Sequence, residues 1–461
     1  MLDFPDHTYH KLLRLATEYN IVSDCREYPS LVFNFLFHRQ KIPFPDLQAK
    51  LKKKFMNPLF RYGLYINFPF CRARCSFCKY YSELMPNSYV DDYIESIKQE
   101  LELYNINFSI VNLDNVYFGG GTPSILNPKQ IRRLSSILNQ FFSVNHKKDK
   151  IQITMEGTPE SIEESRLKEF YNSGFNRISL GVQSFNDNVL RAVGRLHTTK
   201  DVFTAFKIIR KVGITYTGID LMFGLPGETS KSYQNTIRQT LELNPDFIEC
   251  FMFTLGGRTK ISPAQDLNLD KIIQLFKERF VDHGYQIYFS GNFLGFIKNG
   301  IPPANAMNQN TEGVYKFITP CFGIGAGAHS HFFDLKYSIF PDVKDYINTF
   351  KNGGKEPSFF YGFDMSEDDS KRQYIISQIG YYRFIEKDNY YRIFGSRIDD
   401  DFSKEIECLK KLKIVSNAGN RISWHLDEKG MGHNSFFLHA IRYWYHPKHI
   451  SQLLPVLNFA P

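Results

Sequence analysis

From residue 63 onward the apolar positions fall into two alternating patterns. Short continuous runs of about 4–8 residues stand at 63–69, 115–118, 150–155, 177–182, 216–223 and 247–255. Longer stretches between them carry helical spacing. Val90, Tyr93, Ile94, Ile97, Leu101 and Tyr104 make one stripe, and Ile131, Leu134, Ile137, Leu138 and Phe141 make another. Helix starts are legible too. Asn127 before Pro128 reads as an N-cap with a proline at the first helical position, and Ser161 with Glu164 as a capping box. Strand, loop and helix repeated six times is the pattern of a parallel sheet with crossover helices. The predicted fold class is therefore α/β, an open (β/α)6 partial barrel, in which the loops after the strands carry the chemistry.

The pattern changes at both ends. Residues 1–60 read as a partly helical extension ending in the basic run Lys52, Lys53 and Lys54, which suits a solvated face. The barrel occupies 61–335, and 336–461 is α-rich. Within it, 402–426 reads as a short helix–strand unit, with Leu409, Leu412 and Ile414 apolar, the outline of a small winged-helix-like domain.

Composition narrows the class. With 461 residues the chain is longer than one average domain. No apolar run approaches the roughly 20 residues of a membrane-spanning helix. The first residues lack the features of a secretory signal, and Asp3 and Asp6 argue against a mitochondrial presequence, so the cytoplasm is the expected compartment. A net charge of +8 is modest for this length and suits solubility, which ranks a nucleic-acid-directed activity last.

The cysteines bring in chemistry. Cys25, Cys250, Cys321 and Cys408 are scattered, whereas Cys71, Cys75 and Cys78 lie within eight residues, just after the first predicted strand. An odd total with one tight group is not a disulfide framework; it points to a metal in a reducing compartment. Thiolates are the usual ligands of iron–sulfur clusters, and three of them leave one iron of a cubane open. A structural zinc site would need a fourth Cys or His nearby, and Lys79, Tyr80, Tyr81 and Ser82 supply none. Arg72, Arg74 and Lys79 would offset the negative charge of such a cluster.

The CxxxCxxC spacing, followed by GGGTP at 119–123, resembles the radical S-adenosylmethionine (SAM) superfamily. More specifically, YINFPFC at 65–71, FGGGTPS at 118–124, ISLGVQSFN at 178–186, GIDLMFGLPG at 218–227 and GIGAGAHS at 323–330 resemble its oxygen-independent coproporphyrinogen III oxidase-like branch, over roughly 60–332. That resemblance implies a [4Fe–4S] cluster on Cys71, Cys75 and Cys78, whose open iron chelates SAM and cleaves it to a 5′-deoxyadenosyl radical. It implies that Tyr65, Gly120, Glu156 and His329 contact the cluster-bound SAM. It also implies that Phe77, Gly121, Thr122, Gln183, Arg195, Asp220 and Thr254 line the position of a second SAM.

Departures from the branch bear on the reaction. Asn67 stands where the branch usually has His, and Lys79 and Tyr80 stand where the decarboxylating enzymes have Gly and Cys. Asn310 and Thr311 stand where the haem chaperones carry a His-Asn pair, and His329, His331 and His446 are the candidate replacements for a haem ligand. The third group of the branch, the methyltransferases and cyclopropanating enzymes, uses two SAM molecules on planar unsaturated substrates. The expectation is a radical SAM enzyme that transfers a methyl or one-carbon group to such a substrate, a porphyrin or haem among them. Its partner would be an electron donor such as flavodoxin or ferredoxin. Oxidative decarboxylation of coproporphyrinogen and haem delivery without turnover are the alternatives. Arg383 and Arg442, beside Tyr381, Tyr382, Tyr443, Trp444 and Tyr445, are candidates for covering a carboxylate-bearing ring.

Overall fold

All six expected strands form. β1 (Tyr62–Phe68), β2 (Leu113–Gly120), β3 (Gln152–Gly157), β4 (Arg177–Gln183), β5 (Tyr216–Phe223) and β6 (Phe247–Met252) lie side by side in chain order, each parallel to the next. The computed structural model describes residues 42–424, apart from 58–59, 86–87, 145–150, 254–260, 265–266, 291–292, 302–318, 352–359, 383 and 412–414.

The sheet is larger than the sequence pattern implied. β7 (Tyr285–Ser290) and β8 (Phe293–Lys298) form a hairpin whose second strand pairs antiparallel with β6. β9 (Cys321–Ile324) is a seventh parallel strand on the other flank of β1. β10 (His329–Phe332), β11 (Leu335–Ile339) and β12 (Phe360–Asp364) continue antiparallel from it. The order is β12-β11-β10-β9-β1-β2-β3-β4-β5-β6-β8-β7, and the two ends do not meet, so the barrel is open. Because β10 and β11 pair directly, the sheet runs on across the boundary drawn at residue 335.

The helices pack where their stripes direct them. α1 (Phe44–Phe55) buries Phe44, Leu47, Leu51 and Phe55 against the extended end of the sheet. Lys52 and Lys53 stay in solvent, while Lys54 crosses to Asp334 in the turn between β10 and β11. In α2 (Ser88–Tyr104) the whole predicted stripe is buried. In α3 (Pro128–Phe142) the buried aromatic at the end is Phe142, with Phe141 only partly covered. Asn127 and Gln130 cap α3 reciprocally.

The box expected of Ser161 and Glu164 does not form. Pro159 starts a 3-10 turn, so the Ser161 hydroxyl turns back to Thr158, and Glu163 enters α4 (Glu164–Asn172) without a side-chain cap.

Beyond the large sheet, helices Lys387–Phe394, Ile398–Asp401 and Ser403–Lys411 precede a hairpin of Val415–Ala418 and Arg421–Trp424, joined by Phe384–Glu386. The sequence pattern predicts a short helix–strand unit over 402–426; the described part holds one helix and two strands. The side chains of Leu409, Tyr381 and Tyr382, and residues Leu412, Ile414, Asn310, Thr311, Arg383, Arg442, Tyr443, Trp444, Tyr445, His446 and Cys25, lie outside the described residues. Among the described residues no helix is long and apolar enough to cross a membrane.

Candidate active site

The cysteine loop is fixed on three sides. Phe70–Cys71 pairs with Glu83–Leu84, so the chain returns alongside its own start. Thr122 N–H donates to the Phe70 carbonyl at 2.8 Å, tying the loop to the end of β2. Ser76 N–H donates to the Val193 carbonyl at 3.1 Å, tying it to the segment after α5 (Asp187–Ala192). Thus held, Cys71, Cys75 and Cys78 are all partly exposed and line one cavity of about 350 Å³.

The thiols fit a cluster better than a single ion. Among the described residues no three His, Cys, Asp or Glu side chains converge closely enough to hold one metal ion. Zinc ligands would crowd to roughly 3.8 Å between sulfurs, given Zn–S bonds of about 2.3 Å; a cubane takes each thiolate at a different corner. Burial pushes the Cys71 and Cys78 thiols above the usual value, so loading iron must displace their protons. Donors meet the sulfurs directly, among them Thr122 Oγ1 at 3.5 Å from Cys71 Sγ and Arg195 Nη1 at 3.4 Å from Cys75 Sγ.

Glycines clear the floor beside the cysteines. At Gly121 an added Cβ would lie 2.6–2.7 Å from backbone atoms of Phe68 and Phe70. Gly120 has φ +100 and would drive a Cβ to 2.0 Å from Asn67 Oδ1. Asn67 fastens this region, donating to the Ala326 carbonyl at 2.5 Å and accepting from Tyr65 Oη at 3.1 Å. It thereby joins β1 to the glycine run after β9.

The barrel interior holds a group of buried charges. Glu156 accepts from Tyr117 Oη at 2.6 Å and from Gly120 N–H at 3.2 Å, yet burial pushes its carboxyl up to about 7. Asp220 accepts from Ser179 Oγ at 2.8 Å, and burial, then the neighbouring Glu249, raises its pKa well above the usual range. Arg177 is fully buried, 3.8 Å from Glu249 and 3.7 Å above the Phe247 ring, which is the cation that faces these carboxylates.

Sequence reasoning missed Arg177 and Glu249 as parts of this interior. A period-two count along β4 finds one of them, since Arg177, Ser179, Gly181 and Gln183 alternate onto one face. Glu249 is legible as an acid inside an apolar strand, in register with Asp220.

Gln183 ends β4 at φ +68, a left-handed conformation that costs a non-glycine residue about 1–3 kcal/mol and is commonest at functional sites. Arg195 donates to the Gly181 carbonyl, and its buried Nε has no hydrogen-bond partner among the described residues. A side chain at residue 181 would stand 2.8 Å from Gln183 Nε2 and 3.3 Å from Arg195 Nη2. The glycine thus gives both polar groups their room.

Most of the sequence-derived site residues come together. Besides the cysteines, the cavity is lined by Gly120, Gly121, Thr122 and Glu156, and by Phe77, Gln183, Arg195 and Asp220. Two do not line it. Tyr65 stacks on Tyr117 with ring centres 5.9 Å apart, and His329 sits exposed at the start of β10. Thr254 lies outside the described residues. Tyr80, Leu196, Met222 and Phe251 line the cavity without having been singled out as site residues.

Parallel strands, thiols on the first loop and a glycine floor on the second define the class, and comparison with known proteins agrees. Residues 65–240 match the radical SAM superfamily, so the chain carries a radical SAM domain, and that superfamily uses a [4Fe–4S] cluster and SAM. Within it, the chain is 26% identical over 388 residues to the heme chaperone HemW of Bacillus subtilis, covering 81% of this chain and 97% of that one. It is 28% identical over 333 residues to the oxygen-independent coproporphyrinogen III oxidase of Salmonella typhimurium, covering 69% and 71%. The solved structure of coproporphyrinogen III oxidase (HemN) from Escherichia coli has the same fold. Its TM-score is 0.68 at 24% identity, over 86% of this chain and 93% of that one.

Proposed function

We propose that this protein is a radical SAM enzyme acting on a tetrapyrrole or similarly planar unsaturated molecule, with transfer of a methyl or one-carbon group from a second SAM as its reaction. The observation that carries the reading is the convergence of three thiols, a glycine floor, a buried acid and an arginine on one cavity. Cys71, Cys75 and Cys78 would hold the cluster, which when bound supplies the electron that cleaves SAM. Glu156 and the Gly120 carbonyl would take the SAM ammonium. Arg195 suits the carboxylate of a second SAM, and Gln183 and Asp220 suit its hydroxyl or amino groups. An electron donor of the flavodoxin or ferredoxin kind and a cytoplasmic setting belong to this reading. The tetrapyrrole is supported by the names of the relatives, an oxidase of coproporphyrinogen and a heme chaperone.

A second reading, a haem-binding chaperone without turnover, is favoured by the similarity over nearly the full length of the B. subtilis chaperone. Anaerobic reconstitution with iron and sulfide, followed by reduction and addition of SAM, separates the two. The enzyme forms 5′-deoxyadenosine, lost on Cys75→Ala, and S-adenosylhomocysteine with a porphyrin present. Stoichiometric haem uptake with neither product, from a preparation with its full cluster content, supports the chaperone instead.

A further inference from the structure

The cavity is too small for everything assigned to it. Pockets that enclose a small ligand run from roughly 300 to 1,000 Å³, and this one, at about 350 Å³, lies at the low end of that range and on the reading above already takes the open corner of the cluster and two SAM molecules. A tetrapyrrole cannot be enclosed as well, so most of a planar substrate has to lie across the mouth.

The mouth has the surface for it. Tyr80 and Leu196 line the cavity yet are 74% and 55% exposed, and Tyr80 is the most exposed of the large hydrophobic side chains among the described residues. The loops that carry them are joined by the Ser76 to Val193 hydrogen bond, so the two belong to one rim. Arg72, which is exposed, and Lys79 line the same cavity beside Tyr80. An exposed aromatic and an aliphatic side chain next to two cations form a surface complementary to a flat, apolar, carboxylate-bearing molecule.

We propose that Tyr80 and Leu196 form a rim platform for the face of such a ring, with Arg72 and Lys79 taking its carboxylates. The inference rests on the planar-substrate reading above and deepens it: Lys79 and Tyr80, which depart from the decarboxylating enzymes, become determinants of substrate recognition.

The test is titration of the anaerobically reconstituted full chain with coproporphyrin III, followed by fluorescence, for the parent, Tyr80→Ser, the double variant Tyr80→Ser/Leu196→Ser, and Arg72→Gln. Iron content and the cluster absorption spectrum establish that each variant is loaded. The expected result is a tenfold or greater loss of affinity in the double variant and a smaller loss in Tyr80→Ser. Arg72→Gln should bind less tightly and lose part of the salt dependence. Tyr171→Ser, at an exposed tyrosine that does not line the cavity, should bind as the parent does. Equal affinity in parent and double variant overturns the rim platform while leaving the planar-substrate reading standing. No binding by the parent overturns both.

Discussion

At single residues, the site depends on what is missing as much as on what is present. Gly121 faces the backbone of Phe68 and Phe70, which cannot rotate aside as a side chain tip can. Gly121→Ala should therefore cost about 1–3 kcal/mol and displace the cysteine loop. Urea unfolding and iron content after reconstitution read the two effects, and full iron loading at parental stability would refute the argument. Glu156 poses the opposite problem, a group present in the wrong state. Burial pushes its carboxyl up to about 7, so near neutral pH a large share carries a proton and cannot pair with an ammonium. Affinity for SAM should accordingly fall as pH drops below about 7, approaching tenfold per unit. Glu156→Gln should weaken binding by about tenfold or more, the worth of a charge-assisted hydrogen bond, and remove this group's part of the pH dependence. Calorimetric titration of the reconstituted protein between pH 6 and 8 checks both; a Gln variant that keeps the parental slope rules Glu156 out.

At the scale of elements, α2 locks the glycine run after β9 into place through one buried acid. Glu100 accepts from Gly325 N–H at 2.9 Å, from Tyr346 Oη at 2.5 Å and from Tyr104 Oη at 3.1 Å, while Tyr93 Oη accepts from Ala326 N–H and donates to the Asn67 carbonyl. Burial nevertheless pushes Glu100 up to about 7, from 4.5 in the unfolded chain. The folded state therefore binds the proton more tightly, and stability declines as pH rises from about 4.5 to about 7. A gap of this size corresponds to about 3 kcal/mol, so Glu100→Gln should flatten the fall in unfolding free energy between pH 5 and 8 by roughly that amount. Parallel slopes for parent and variant would show that Glu100 is not the source. This lock also explains what the sequence left hidden. The six strands β1–β6 were legible because each is a continuous apolar run ahead of a glycine, proline or capping loop. β9 was not, because its four residues merge into a glycine run that reads as a turn. The same local logic made the cysteine loop and Gly119–Thr122 stretch legible, since neighbours in sequence are neighbours in the site. For Arg177 and Glu249 local spacing gives the strand face at most; their approach to 3.8 Å, and the exposure of Tyr80 at the cavity mouth, depend on tertiary placement.

For the whole molecule, the helix ahead of the barrel, α1, is part of its core. Phe55 meets Tyr62, Phe108, Phe322 and Phe332 with ring centres 5.1–5.8 Å apart, and Phe44 stacks on Phe360 at 5.7 Å. These contacts join the helix before β1 to strands on both sides of β9, which is why the sheet can extend so far beyond its parallel centre. Four buried side chains, Phe44, Leu47, Leu51 and Phe55, contribute about 1.5–3 kcal/mol each. The total of roughly 6–12 kcal/mol is comparable with the entire stability of a typical protein, about 5–15 kcal/mol. A chain beginning at residue 60 should therefore be insoluble or unfolded, even though it keeps every residue of the radical SAM domain. Leu47→Ala, which leaves the helix in place, should lose about 2–5 kcal/mol and still load iron. Soluble yield, urea midpoint and iron content distinguish the outcomes. If the shortened chain is soluble, unfolds at the parental midpoint and takes up a full cluster, the helix is an attachment, and the sheet stands without it. The interlocking aromatic contacts lead to the other outcome, in which cluster, barrel and leading helix are lost together.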